Sequence, residues 1–168
     1  AAEGEDMAEH LVRKYGSTPA QLAATREMIR ERGAALGFTF NQRERIYNTF
    51  DAHRLLHWAG GEGRQLELKE ALFKANFTDQ LSTSDHEVLV GAAKAAGLDE
   101  RRARQVLASG EFTDEVRREE MLWRNRGISA VPSVIFNQRW MVQGGQPPQV
   151  FEQAIRQIVS GHAEDARA

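Results

Sequence analysis

Few residues of this chain could do chemistry, and none of them is a cysteine. The 168 residues include five histidines and no cysteine, which excludes a disulfide, a thiolate metal site and a cysteine nucleophile within this stretch. His53 and His57 are four residues apart, a spacing that lets two imidazoles on one helical face share a metal ion. Arg54 occupies the place where zinc proteases carry a glutamate, and no third ligand is apparent. The pattern therefore favours a pair of histidines without a metal.

Other catalytic signatures are absent from the sequence, and its charge suggests no polyanionic partner. It contains no glycine-rich phosphate loop, no nucleophile elbow and no carboxylate pair with informative spacing. The net charge is −2, with basic residues dispersed among acidic ones, so we expect neither nucleic-acid nor membrane-surface binding. No apolar run approaches the roughly 20 residues that cross a bilayer, and residues 1–7 lack a signal pattern. We therefore expect a soluble protein.

Most of the chain has the spacing of amphipathic helices. The clearest start is Thr18 with Gln21, a capping box with Pro19 at the first helical position. Ser84 and Glu87 form a second such pattern. The predicted helices cover residues 19–36, 49–58, 64–77, 84–97, 99–108 and 113–127. In the first of them Leu22, Ile29 and Leu36 recur at helical spacing. The helix over residues 64–77 presents Leu66, Phe73 and Phe77, and the last helix is predicted to direct Val116 and Trp123 inward.

The pattern changes after Gly127. Residues 134–136 and 140–142 are short apolar runs separated by a turn at residues 137–139, which predicts a β-hairpin. A last helix is predicted to begin near Pro148, and residues from about 161 read as a polar tail. The side chains expected to be buried by this helix are Val150, Phe151, Ala154, Ile155 and Ile158.

The first strand of the hairpin lacks the alternation of a half-exposed strand. Residues 134–136 are continuously apolar, as in a strand that is buried on both faces of a sheet. The sequence offers this strand one partner only, and an isolated two-stranded hairpin is marginal in water. Its open edge is therefore covered by strands outside this stretch, by another chain, or by helices of this chain.

Several separated motifs resemble one protein family. Residues 127–137 (GISAVPSVIFN) and 142–151 (VQGGQPPQVF) resemble the end of the DsbA-like thioredoxin family. Residues 46–59 (IYNTFDAHRLLHWA) and 84–89 (SDHEVL) are similar to the FrnE-type branch, which is related to 2-hydroxychromene-2-carboxylate isomerase and kappa-class glutathione transferase. The resemblance extends over roughly residues 5–159.

The resemblance implies an α/β thioredoxin-like fold with a large helical insertion. This stretch would then be mostly α-helical, with a C-terminal α-β-β-α unit and without the opening β-α-β segment that bears Cys-x-x-Cys. The implied domains are an insertion at residues 1–110, the second half of the thioredoxin domain at residues 111–160, and a flexible tail at residues 161–168. In such folds the opening strand lies parallel to the strand that residues 134–136 match.

The implied activity of the complete protein is thiol-disulfide oxidation or isomerisation, without a cofactor. No catalytic thiol is visible, so this stretch would be inactive alone and would supply the substrate groove. The resemblance implies a cis Val131-Pro132 bond, with the Val131 backbone facing a substrate. It also suggests a groove role for Asn48, Phe50, His53 and Arg54. A capping Asn48, a packed Phe50, or structural hydrogen bonds from His53 and Arg54 explain these residues equally well.

Two other functions stay open at this point. One is a glutathione-dependent isomerase or kappa-type transferase, with glutathione as its cosubstrate. The other is a non-catalytic binding module with a preserved peptide groove. The expected partner is a thiol- or disulfide-containing protein or small molecule, and an open sheet edge also permits a homo-oligomer. The resemblance favours the cytoplasm.

Overall fold

A computed structural model describes residues 4–161 of the chain. The chain divides into two units, residues 1–116 and 117–168, and the division lies within a helix. The first unit contains the following elements in order: β1 (Glu5–Asp6), α1 (Met7–Tyr15), α2 (Pro19–Ala35), β2 (Arg45–Ile46), α3 (Phe50–Gly61), α4 (Gln65–Phe73), a π-helical turn (Lys74–Thr78), α5 (His86–Ala95), α6 (Glu100–Ser109) and the start of α7 (Thr113–Asn125).

Side-chain capping begins α1, α2, α5 and α6 of the first unit. The capping box predicted for α2 is confirmed, because Gln21 Oε1 accepts from Thr18 N at 2.8 Å and Thr18 Oγ1 accepts from Gln21 N at 3.3 Å. The box predicted at Ser84 is wrong. Asp85 caps α5, with its Oδ1 accepting from Glu87 N at 2.8 Å. Asp85 is one residue closer to the helix than Ser84, and its carboxylate accepts from the free amide of Glu87. The helix cap therefore lies one residue later than predicted.

The core of the first unit lies among α3, α4, α5 and α6. Its largest fully buried side chains are Leu55, Leu68, Leu89, Val90 and Val106. The predicted inward face of α4 is wrong, since Leu66 is 65% exposed while Leu68 and Leu72 are buried. The leucines of α4 lie on two faces of the helix. Packing against α3 and α5 buries the face that contains Leu68 and Leu72.

The helix predicted over residues 64–77 changes its hydrogen-bond register near its end. It is α-helical to Phe73 and then completes one π-helical turn over Lys74–Thr78. Asp79 N donates to Lys74 O at 2.9 Å, which closes this wider turn. The register change buries Ala75 and Asn76.

The second unit consists of the end of α7, β3 (Ser133–Phe136), β4 (Trp140–Gln143) and α8 (Pro148–Val159). The predicted hairpin is confirmed, with Val134 opposite Val142 and Phe136 opposite Trp140. Asn137 and Gln138 turn the chain with φ of 49° and 57°. Two successive left-handed residues make the tight turn whose twist suits a hairpin. Gly127, at φ 83°, follows the end of α7.

Burial in the second unit differs from the prediction. Within residues 117–161 only Ala154 is buried, at 8% exposed. Strand β3 is not buried on both faces, because Val134 is 36% exposed. Val150 and Ile155 on α8, and Trp123 on α7, are exposed rather than inward. These side chains have the expected apolar character, but the described residues provide no layer that covers them.

The architecture is mostly α-helical and ends in the α-β-β-α unit that the sequence predicts. Strand β3 pairs only with β4, and β1 pairs only with β2, among residues 4–161. The predicted domain boundary after residue 110 lies six residues before the division of the structure and stays a prediction. Residues 162–168 of the predicted tail lie outside the described residues.

Candidate functional site

The loop before β3 contains Val131 and Pro132, whose peptide bond is cis. Pro132 O accepts from Gly144 N at 2.8 Å, and Ser133 Oγ donates to Ala130 O at 2.7 Å. Val131 between them is 86% exposed, and its backbone groups make no hydrogen bond within residues 4–161. The loop is therefore fixed on both sides of a residue that presents a free donor and a free acceptor.

Asn48 and Phe50 lie at the start of α3. Asn48 Oδ1 accepts from Phe50 N at 2.8 Å, whereas Thr49 makes no side-chain capping bond. Phe50 is half-buried. The geometry thus gives Asn48 a capping role, which was one of the two roles left open by the sequence. Whether either side chain also contacts a substrate stays a prediction.

The two histidines of α3 have different surroundings. His53 is exposed, while the His57 ring packs against Phe112 with their ring centres 5.2 Å apart. Within residues 4–161, no three histidine, cysteine or acidic side chains gather as a metal site would require. Of this pair, His53 is the more accessible to a molecule from solution.

Arg54 is 3% exposed and is held inside the first unit. Its Nε donates to Glu111 O at 2.7 Å, Nη2 donates to Val106 O, and Nη1 donates to Asp51 Oδ1 at 2.8 Å. A guanidinium engaged on all three nitrogens has its donors directed at the protein. The structure therefore shows a hydrogen-bonding role for Arg54, and the groove-lining role stays a prediction.

Asp51 is the residue of this network that the sequence interpretation missed. Its Oδ2 accepts from His86 Nε2 at 2.9 Å, so that one carboxylate joins α3 to α5. Partial burial raises the pKa of the Asp51 carboxyl, but the hydrogen bonds from His86 and Arg54 outweigh it and the pKa is lowered overall. The only sequence signal was the Asp-x-x-Arg spacing, which is common on helix surfaces.

An apolar groove of about 1090 Å³ runs along α8 in the second unit. Its apolar wall consists of Pro148, Phe151, Ile155 and Val159, and its polar rim includes Gln146, Glu152 and Arg156. Ile155 and Val159 are 47% and 82% exposed. Exposed apolar surface of this extent on a folded chain marks a contact site for other polypeptide or a ligand.

These residues can bind and orient an extended molecule, but they offer no redox-active group. A backbone donor and acceptor next to a strand can add a peptide in β-fashion. The thiolate that exchanges disulfides has no candidate in a sequence without cysteine.

Comparison with known proteins decides the family. The model of the DSBA-like thioredoxin domain matches residues 2–156. The chain belongs to this DsbA-like family. A crystal structure of a probable DsbA oxidoreductase from Streptomyces coelicolor is similar, with a TM-score of 0.84 and 36% sequence identity over 93% of this chain and 68% of that one. No curated protein matches.

The DsbA-like assignment accounts for the architecture of both units. The chain is mostly helical with few short strands, as in a DsbA-like thioredoxin fold that contains a helical insertion. None of the helices within residues 4–161 of this DsbA-like chain has the length and apolarity to span a bilayer.

Proposed function

We propose that this chain is the substrate-binding part of a FrnE-type thiol-disulfide oxidoreductase or isomerase, whose dithiol lies on polypeptide outside these 168 residues. The observation that carries the proposal is the second unit, in which Ala154 is the single buried residue among residues 117–161. A thioredoxin-type unit with its apolar side chains in water is an incomplete core.

Two surfaces of the second unit lack a covering partner among the described residues. Strand β3 has an unpaired edge among the described strands, and the α8 groove is apolar. An opening β-α-β segment would add a strand beside β3 and cover the apolar sheet and helix surfaces. Burial of apolar surface contributes about 25 cal/mol per Å². A segment that covers β3 and the α8 groove would therefore stabilise the second unit.

The Val131 backbone then supplies the substrate contact. Its free donor and acceptor suit an extended peptide that pairs as a short strand. A thiolate at the start of the opening helix attacks the substrate disulfide, forms a mixed disulfide and expels a substrate thiolate. The second thiol then resolves that intermediate, so that the enzyme dithiol is oxidised and the substrate disulfide is reduced. Reversal of these steps oxidises a substrate dithiol.

The proposal also assigns residues of the first unit to substrate binding. Exposed His53 is the side chain of α3 that we assign to substrate binding, with Asn48 and Phe50 at the start of that helix. Arg54 holds α3 in place through its hydrogen bonds, and its predicted contact with substrate stays a prediction. The cytoplasm as the compartment belongs to the same proposal and is supported by the FrnE-type motifs alone.

The decisive experiment uses the complete gene product. We expect its coding sequence to contain Cys-x-x-Cys upstream of Ala1 and the purified protein to reduce insulin with dithiothreitol as electron donor. Serine at the first cysteine should abolish the activity, and the 168-residue chain should have none. If the gene product has a serine in place of the Cys-x-x-Cys motif and is retained on glutathione resin, these results would instead support the isomerase or transferase function. A gene product of unextended mass that binds peptides would support the binding module.

A further inference from the structure

The first unit contains a cleft of about 650 Å³ between α2 and the extended residues 40–43. Its apolar surface comes from five side chains, which are Met7, Ala23, Ile29, Phe40 and Phe77. Three arginines, Arg26, Arg30 and Arg43, line the same cleft. An apolar cavity of this size with a few converging polar groups has the character of a small-molecule site.

The extended wall of the cleft is fixed in place by the π-helical turn. Asn41 N donates to Phe77 O at 2.9 Å, and Asn41 Nδ2 donates to Thr78 O at 2.6 Å. Thr78 Oγ1 donates to Thr39 O at 2.7 Å. The Phe40 ring lies between Phe38 and Phe77, at centre distances of 4.7 and 5.3 Å. The cleft is therefore formed before any ligand enters.

The charges in the cleft are unbalanced. Glu27 accepts from Arg30 Nε at 2.8 Å and neutralises it. Arg26 and Arg43 have no acidic partner within the described part of the chain. Two of the three guanidiniums therefore keep an uncompensated positive charge beside an apolar surface.

Arg43 has the least satisfied environment of the three. Its Nη1 donates to Asn76 Oδ1 at 3.0 Å, its guanidinium lies 5.3 Å from the Phe77 ring centre, and its buried Nε has no acceptor. Burial lowers the pKa of Arg43 because the charged form loses solvation. A negative charge brought into the cleft would offset that loss.

We propose that this cleft binds a small organic anion, a carboxylate or sulfonate attached to an aromatic or branched apolar group. The acid group pairs with Arg26 and Arg43, and the apolar group contacts Phe40, Phe77 and Ile29. Arginine suits this task because its planar donors match the oxygens of an acid. The proposal does not rest on the disulfide exchange, because no residue that lines the cleft is among those assigned to that substrate, which are Asn48, Phe50, His53 and Val131.

The test is a titration of the ¹⁵N-labelled chain with 1-naphthalenesulfonate, followed by amide NMR shifts. We expect saturable shifts in residues 23–30 and 40–43 and near Phe77, and binding at least about tenfold weaker for neutral 1-naphthalenemethanol. Arg26→Gln and Arg43→Gln should each weaken sulfonate binding about tenfold. Arg101→Gln, an exposed arginine of α6 outside the cleft, should leave it unchanged.

Several results would overturn the proposal. They are equal affinity for the sulfonate and the alcohol, shifts confined to the α8 groove, no binding, or wild-type affinity in both cleft variants. If Arg43→Gln fails to fold, Arg26→Gln decides, because Arg26 makes no hydrogen bond or ion pair within residues 4–161.

Discussion

The guanidinium of Arg54 joins three parts of the first unit, namely α3, the end of α6 and the loop after it. We expect Arg54→Met to lower the free energy of unfolding by about 2–4 kcal/mol, because it leaves buried carbonyl oxygens without donors. Urea denaturation followed by circular dichroism measures the change. Arg104→Met is the matched control, since the Arg104–Glu87 pair is exposed and should leave the midpoint nearly unchanged. Equal effects of the two substitutions would contradict the structural role.

Glu111 gives the stability of the protein a dependence on acid pH. Hydrogen bonds from Arg102, then from Ser109, lower the pKa of Glu111 to about 2 from its ordinary 4.5. Because the folded pKa is the lower one, this stabilisation is present above pH 4.5 and is lost as the pH falls towards 2. We expect the melting temperature to fall between about pH 5 and about pH 3, and to fall less in Glu111→Gln. Parallel curves for the two proteins would contradict the assignment.

For individual side chains, the sequence predicted helix capping better than it predicted buried polar contacts. Thr18 bonds to a residue three positions away, so its role can be recognised in a local pattern. Arg54 bonds to carbonyl groups 52 and 57 positions away. Every residue has a backbone carbonyl, whatever its side chain. No sequence pattern therefore marks the carbonyl that the fold brings near Arg54. This is why the sequence could not predict the hydrogen-bonding network of Arg54.

Among the elements, α2 depends on a glycine for its contact with the following segment. An added Cβ at Gly33 would lie 2.7 Å from Phe40 Cε2 and 2.8 Å from Phe38 O. We expect Gly33→Ala to destabilise the chain by about 1–3 kcal/mol, because a backbone oxygen cannot easily move away. Urea denaturation is again the measurement.

Gly91 in α5 provides the control for this substitution. Nothing lies within 4 Å of an added Cβ at Gly91. Gly91→Ala should therefore stabilise the chain by about 0.5–1 kcal/mol, the ordinary helix preference for alanine. Stabilisation by both substitutions would show that Gly33 is not a packing requirement.

Elements with strong local signals were predicted well, and those that depend on tertiary packing were not. The hairpin of β3 and β4 has two apolar runs at a spacing that only a short turn can join. Helix α1 was missed although Asp6 caps it, with Oδ1 accepting from Glu9 N at 2.8 Å. The π-helical turn after Phe73 was also missed. A π-helical turn contains one residue more than an α-helical turn, and no local amino-acid composition distinguishes the two.

For the whole molecule, the unpaired edge of β3 predicts self-association of the 168-residue chain. An exposed edge strand with apolar side chains is a template for another strand. We expect sedimentation velocity to show a concentration-dependent dimer or larger species, and Val134→Lys to shift it towards monomer because a charge disfavours edge pairing. Gln138→Lys in the hairpin turn is the charge-matched control. A monomer at all concentrations would contradict the prediction.

The fold class could be predicted because family motifs and helix signals agree along the chain. The burial of the second unit could not, since a continuously apolar strand indicates what the side chains prefer and not whether a covering layer is present. Val134 is apolar and yet 36% exposed. Sequence reasoning identified that a partner was needed for this strand but could not say which polypeptide provides it.

The hydrogen bonds that hold residues 39–42 to residues 77–80 close a long loop. Asn41 and Thr78 are 37 positions apart, and Gln42 and Gln80 are 38 apart. Both hydrogen bonds are exposed to solvent, and exposed hydrogen bonds open more readily than those of a packed core. This wall should therefore open in brief sub-global fluctuations while α3 to α6 stay folded. Amide hydrogen exchange at Asn41 should accordingly be faster than exchange at Leu89 in the core, and ligand occupancy of the adjoining cleft should slow it.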